Sequence, residues 1–293
     1  MAQHLIQTSD LSIDQIEQIF NDADTFKDGR FYDLLKDRII ITLFFENSTR
    51  TKSSFEIAIK RLGGSVVHFD ASKSSTAKGE TLIDTALTLD AMRADAMIVR
   101  HKTDGVPKML SKRVSCSIIN AGDGKYSHPT QALLDLYTLT KELGSVKDRH
   151  IAIVGDIVNS RVANANIALL RRFGMKITLV APEHFLPESD LECVDDIRVV
   201  IDSVDAIMSL RTQTERHLEP SIMSLEEYGK RYCLSKKLIS DRDIVVLHPG
   251  PVHRNIDIED ALLADPRCKV LDQVRHGVDI RMAVLKNLIL DAQ

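Results

Sequence analysis

RIIITLFFENSTRTKSSFEIAIKRLGG, residues 38–64, decides the fold. Its opening, RIIITLFF, is apolar almost throughout and rich in β-branched residues, as in a strand buried on both faces. Phe55, Ile59 and Leu62 then recur at helical spacing, and Gly63-Gly64 closes that helix. Between strand and helix lies a polar junction, ENSTRT. A strand that feeds a helix through such a turn is the building unit of a parallel sheet.

The same alternation extends in both directions. Upstream, Ser12 and Gln15 form a capping box before Ile13, Ile16, Ile19, Phe20 and Ala23, which predicts a first helix. Downstream, SVVHFD, DAMIVR and SCSIINAG read as strands, with the helix ETLIDTALTLDAM among them. Pro129 starts a long helix, PTQALLDLYTLTKELG, that Gly144 ends and that bridges two domains. A second series follows: HIAIVGD, a helix through VANANIALLRRFG, KITLVAP, VVIDSVDAIMS and DIVVLHPGP. The last helix, DIRMAVLKNLIL, has no strand after it and is expected to pack back on the first domain. The expected architecture is α/β, with two doubly wound parallel-sheet domains joined by long helices. Ligands are then expected at the carboxyl ends of strands and between the domains.

Composition narrows the functional classes. The 293 residues (32.8 kDa) are 44 % hydrophobic and 27 % charged, with net charge −4 and pI 6.2. No basic run accompanies that balance, which argues against a nucleic-acid surface but not against a local arginine pocket. No apolar run approaches the roughly 20 residues that span a bilayer. MAQHLIQTSDLS lacks the basic-then-apolar pattern of a secretory signal, so the expected compartment is the cytoplasm. Cys116, Cys193, Cys233 and Cys268 are far apart and form no metal-type pair, as in a reducing compartment.

The junction itself points to anion chemistry. Ser48-Thr49-Arg50-Thr51 at a helix start offers first-turn N–H groups, hydroxyl donors and a guanidinium fork, together a socket for a phosphate. Alone, the motif is equally a plain helix cap beside a solvated arginine, and it lacks the glycines and GK[ST] of a P-loop. Two other strand ends shift the balance. Arg100 ends DAMIVR just before His101, and His128 precedes Pro129 with Gln131 in the following turn. Arg50, Arg100 and His128 at three strand ends favour one anion site.

FFENSTRT, KGET, VRH and HPTQALLDL together resemble the aspartate/ornithine carbamoyltransferase superfamily, and the aspartate branch in particular. The similarity continues through VGD, SLRTQTER and HPGP over nearly the whole chain. The resemblance implies a carbamoyl phosphate-binding domain at 1–130, an aspartate-binding domain at 131–277 and a C-terminal helix at 278–293 on the first. It implies transfer of a carbamoyl group to aspartate in de novo pyrimidine synthesis, without a cofactor or metal. Ser48, Thr49, Arg50 and Thr51 match the phosphate-binding motif and Arg100 its second arginine. Thr51, Arg100 and His128 match the groups on the carbamoyl oxygen, and Gln131 a ligand of the carbamoyl amine. Ser74 and Lys78 match a loop that enters a neighbouring subunit's site, which implies a homotrimer with shared active sites. A regulatory chain or another pyrimidine-pathway protein remains an open partner.

The second half selects the acceptor. GDIVNSR keeps only Gly155 of a dinucleotide fingerprint, so a nicotinamide site is not expected. Arg161, Arg211 and Gln213 match aspartate-binding residues, and arginine grips a carboxylate with two parallel bonds as lysine does not. Ornithine transfer is the alternative; its amine calls for a carboxylate and an HCLP-type cysteine, whereas this chain has His248-Pro249-Gly250-Pro251. Gly250 stands where many aspartate enzymes have leucine; with Pro251 it is expected to contribute backbone carbonyls and a turn. An inactive relative serving as a scaffold is the remaining alternative, and it would be expected to have lost one of these side chains.

Overall fold

The computed structural model describes residues 4–26, 28–69, 80–211 and 224–290. The chain forms two units, Met1–Leu134 with Val274–Gln293, and Asp135–Gln273. The first begins with α1 (Ile13–Thr25), where Gln15 N–H donates to Ser12 Oγ and Ser12 N–H to Gln15 Oε1, the expected reciprocal cap. It continues through β1 (Ile39–Phe44), α2 (Thr49–Arg61), β2 (Ser65–Phe69), α3 (Leu82–Ala91) and β3 (Ala96–His101). Then come α4 (Val106–Ser111), β4 (Ser117–Asp123) and α5 (Pro129–Leu143).

All pairings in the first sheet are parallel, in the order β2-β1-β3-β4. The winding therefore reverses between β1 and β3, and that reversal opens a crevice at the strands' carboxyl ends. Ile41, Leu43, Met97, Val99 and Ile118 share one apolar cluster with Ala86, Val106 and Leu110 of α3 and α4. Each of the larger side chains here contributes about 1.5–3 kcal/mol when fully buried. On α2, Phe55, Ala58, Ile59 and Leu62 are all buried, and Lys60 and Arg61 face the negative helix end. Gly63 ends this helix at φ +81°, where a Cβ would lie 2.7 Å from the Tyr32 carbonyl oxygen.

The second unit contains β5 (His150–Val154), α6 (Arg161–Arg172), β6 (Lys176–Val180), β7 (Glu192–Val194) and β8 (Ala206–Ser209). It goes on through α7 (Leu225–Tyr232), α8 (Lys236–Ile239), β9 (Val245–Leu247) and α9 (Asp260–Leu263). Its sheet is also parallel, ordered β7-β6-β5-β8-β9, with the winding reversed between β5 and β8. One strand is shorter than the sequence predicts. Within VVIDSVDAIMS only Ala206–Ser209 is extended; the residues before it form a 3₁₀ turn, Ile197–Val199, capped by Asp196, and the turn that follows it.

The final helix, α10 (Val270–Leu290), belongs to the first unit from Val274 onward. Asp22, 7 % exposed, fastens it there, accepting from Lys286 Nζ at 2.7 Å and Asn287 Nδ2 at 2.6 Å. Asp22→Ala removes both acceptors and is expected to cost about 1–3 kcal/mol, measured as a lower denaturant midpoint at unchanged slope.

Candidate active site

In the first sheet Phe44 pairs with Arg100, so β1 and β3 end side by side at the winding reversal. The polar junction leaves β1 at that edge. Ser48 is the N-cap residue of α2, yet its side chain makes no capping hydrogen bond. The plain-cap interpretation therefore fails: the hydroxyl is not used on its own helix end, where N–H groups favour an anion. Thr49 and Arg50 are exposed on the first turn, whereas Thr51 points inward and is buried. Thr51 Oγ1 lies 3.5 Å from His128 Nε2, which brings two of the expected groups together.

Arg100 is held from two sides. Its Nη1 donates to the Ala121 carbonyl at 3.2 Å, and its Nε lies 3.3 Å from Glu46 Oε2. Glu46 belongs to the junction but is missed when only cationic ligands are sought. An acid immediately after the strand was the available signal. Beside Arg100, His101 accepts from Thr103 N–H at 2.9 Å and stands edge-on to Phe45. Burial pushes the His101 pKa down, so it adds no cation to this strand end at neutral pH.

His128 returns to the edge through a tight turn after β4. Asp123 N–H donates to the Ser127 carbonyl at 3.0 Å, and Tyr126 N–H to the Asp123 carbonyl at 2.8 Å. His128 and Gln131 are both buried, with Gln131 N–H donating to the His128 carbonyl at 3.0 Å. Ser74, Lys78 and Gln213 lie outside the described residues.

The second unit gathers its own group at its own reversal. Val154 pairs with Ser209, and Leu210 N–H donates to the Val154 carbonyl at 2.8 Å. Gly155 follows at φ +130°, where a Cβ would come within 3.0 Å of the Leu210 carbonyl oxygen. That close approach of two chain exits explains the glycine without a dinucleotide. Buried Asp156 accepts from Asn159 Nδ2 at 2.8 Å, Ser160 caps α6, and Arg161 sits buried at its first residue. Arg211 leaves β8 on the adjacent exit, and its Nε donates to His253 Nε2 at 3.1 Å.

His253 belongs to a loop organised by one carboxylate. Asp257, fully buried, accepts from His248 Nε2 at 3.1 Å and from His253 N–H at 2.8 Å. His248 Nδ1 accepts from Gly250 N–H at 2.8 Å, which leaves the ring proton on Nε2 for Asp257. Gly250-Pro251, joined by a cis peptide, projects between these two anchors. His253 and Asp257 had no motif to mark them.

A thiolate nucleophile has little support. Burial pushes the Cys116 thiol up to about 12, with Asp90 adding to it, and burial pushes Cys233 up to about 11. Both keep their protons at neutral pH.

Residues 3–141 match the aspartate/ornithine carbamoyltransferase, carbamoyl-P binding domain family, and residues 147–288 match its Asp/Orn binding domain family. The aspartate carbamoyltransferase catalytic subunit of a Nitratiruptor species is 62 % identical over 290 residues, covering 99 % of each chain. The M. jannaschii aspartate transcarbamoylase catalytic subunit superposes with TM-score 0.88 at 33 % identity, over 99 % of this chain and 98 % of that one. Aspartate transcarbamoylase from Trypanosoma cruzi, in complex with carbamoyl phosphate and aspartate, gives TM-score 0.90 at 31 % identity, over 98 % and 97 % of the chains. With both family domains matched and a relative of that identity, the chain belongs to the aspartate/ornithine carbamoyltransferase family, on its aspartate branch.

Proposed function

We propose that this chain is an aspartate carbamoyltransferase. It transfers the carbamoyl group of carbamoyl phosphate to L-aspartate, yielding N-carbamoyl-L-aspartate and phosphate for pyrimidine synthesis. The observation that carries this reading is the placement of arginines at both winding reversals: Arg50 and Arg100 in one unit, Arg161 and Arg211 in the other. Two anionic substrates, a phosphate ester and a dicarboxylate, need such sites.

In the reaction the neutral amine of aspartate attacks the carbamoyl carbon, and negative charge grows on the carbonyl oxygen. Thr51, Arg100 and His128 donate to that oxygen, and Gln131 orients the carbamoyl amine. The carbon–oxygen bond to phosphate then breaks, and the departing phosphate takes the amine proton. Ser48, Thr49, Arg50 and Arg100 hold its charge, with Ser74 and Lys78 supplied by a neighbouring subunit. Arg161, Arg211 and Gln213 hold the aspartate carboxylates, and Gly250 and Pro251 contribute backbone carbonyls and a turn. The chemistry is positioning and electrostatic stabilisation, in which one well-placed donor contributes about 3 kcal/mol.

A homotrimer fits the same reading. β2 is an edge strand that pairs only with β1 among the described strands, and Val67 on it is 48 % exposed. In the sequence, residues 70–79, with Ser74 and Lys78, come next after β2. Light scattering should give three chain masses; a stable active monomer contradicts the shared site. Four free cysteines accord with a cytoplasmic setting.

The acceptor is tested with an amino-acid panel at saturating carbamoyl phosphate. Aspartate should be carbamoylated and ornithine should not; equal rates for the two overturn the aspartate reading. Arg211→Ala is expected to raise the aspartate KM by about one to two orders of magnitude and to lower kcat, because a charge-assisted contact is lost.

A further inference from the structure

We infer that Gln273 is a positioning residue that sets where the His248–Pro251 turn starts. The inference rests on the reading of Gly250 and Pro251 as part of the substrate site. Gln273 Oε1 accepts from His248 N–H at 2.9 Å, and its Nε2 donates to Asp135 Oδ1 at 2.7 Å. Asp135 Oδ2 accepts in turn from Asn166 Nδ2 at 2.8 Å. All four residues are buried, and they come from the exit of β9, α10, α5 and α6. A backbone N–H can only donate, and the Asp135 carboxylate accepts on both oxygens. One orientation of the Gln273 amide serves both neighbours, and it is the one present. Without that amide a buried N–H loses its acceptor and a buried carboxylate loses a donor.

The helix start that carries Gln273 is itself seated. Lys269 N–H donates to the Val246 carbonyl of β9 at 2.8 Å, and Lys269 Nζ pairs with Glu142 Oε2 at 2.7 Å. Glu142 follows Asp135 by two helical turns on α5, so the start of α10 is fastened to one face of α5 at two points. Gln273 N–H closes the first turn of α10 on the Lys269 carbonyl at 2.8 Å. From this frame the amide reaches the first residue beyond β9. The His248 ring is held separately: its Nδ1 accepts from Gly250 N–H at 2.8 Å, and its Nε2 meets Asp257 at 3.1 Å. The two anchors therefore divide the work. Asp257 holds the His248 ring and the His253 backbone, while Gln273 holds the His248 backbone from which Gly250 and Pro251 depart. A shift of about 1 Å in a group that positions substrate can cost about 10² in rate.

The test combines kinetics of the whole enzyme at saturating substrates with amide hydrogen exchange, at a temperature where circular dichroism shows each variant folded. Gln273→Met keeps the side chain's length and removes both bonds. It should lower kcat about ten- to a hundredfold and quicken exchange in the segment Leu247–Val252. Gln273→Glu still offers His248 N–H an acceptor but faces the Asp135 carboxylate with a second one, and should lose at least as much. Adding Asp135→Asn to Gln273→Glu exchanges donor and acceptor. The new amide accepts from Asn166 and donates to the new carboxylate, which still accepts from His248. The double variant should therefore regain about tenfold in kcat over Gln273→Glu and slow the exchange again. Asp135→Asn alone controls for the other contacts of Asp135, and the double variant should fall no lower than it. An unchanged kcat or an unchanged exchange in Gln273→Met, or a double variant no better than Gln273→Glu, overturns the inference. Should Gln273→Met fail to fold, the comparison of Gln273→Glu with the double variant decides alone. A natural chain that forms no carbamoyl aspartate overturns instead the reading of the site itself.

Discussion

Arg50→Ala should lower kcat/KM by about three orders of magnitude while leaving the thermal midpoint unchanged. The separation of the two effects follows from its position. Arg50 is exposed on the first turn of α2, whereas the packing of that helix rests on Phe55, Ala58, Ile59 and Leu62. Removing the side chain opens no cavity in that core. On the proposed function, what is lost is the cation that faces the phosphate as its bond breaks. Electrostatic donors of this kind account for about 10²–10³ in rate individually, and an arginine meeting phosphate charge in transfer reactions for about 10³–10⁵. Arg50→Lys keeps a charge but not the planar fork, and should recover only part of the rate. Near-normal turnover for Arg50→Ala at saturating substrates contradicts the socket.

Asp257→Ala has its largest effect on stability. The carboxylate is fully buried and accepts from His248 Nε2 and from His253 N–H. Alanine leaves both donors buried without that acceptor, at about 1–3 kcal/mol each. A loss of about 3 kcal/mol corresponds to roughly 5–10 °C in thermal midpoint for a chain of this size. Asp257→Asn keeps an acceptor and should lose about 1 kcal/mol. Calorimetry separates the two variants, and the aspartate KM should rise in the alanine variant because His253 and Pro251 lose their common anchor. An alanine variant with an unchanged midpoint removes Asp257 from the scaffold of the site.

The winding of both sheets was only partly legible in sequence. β1, β3 and β5 announce themselves as apolar runs because they are central strands buried on both faces. Strand order depends on pairings such as Phe44 with Arg100, which no local pattern encodes. β7 was missed because three residues, mostly exposed, carry no periodicity. α7 was missed as well, although Ser224 and Glu227 form a capping box ahead of it. At the site, Arg50, Arg100 and His128 were visible as polar residues at strand ends. Glu46, His253 and Asp257 were not, since each is marked only by its contact with another side chain or loop: Glu46 with Arg100, His253 with Arg211, and Asp257 with His248 and the His253 backbone. Ser74 and Lys78 became candidates through family resemblance alone, as no neighbouring residue in the sequence marks the chemistry of either.

The most direct measurement follows carbamoyl phosphate by phosphorus NMR in the presence and absence of aspartate, with carbamoyl aspartate quantified in the same samples. Phosphate should appear only when aspartate is present, mole for mole with carbamoyl aspartate. Phosphate release that ignores aspartate, or aspartate left uncarbamoylated while phosphate accumulates, contradicts the transfer reaction.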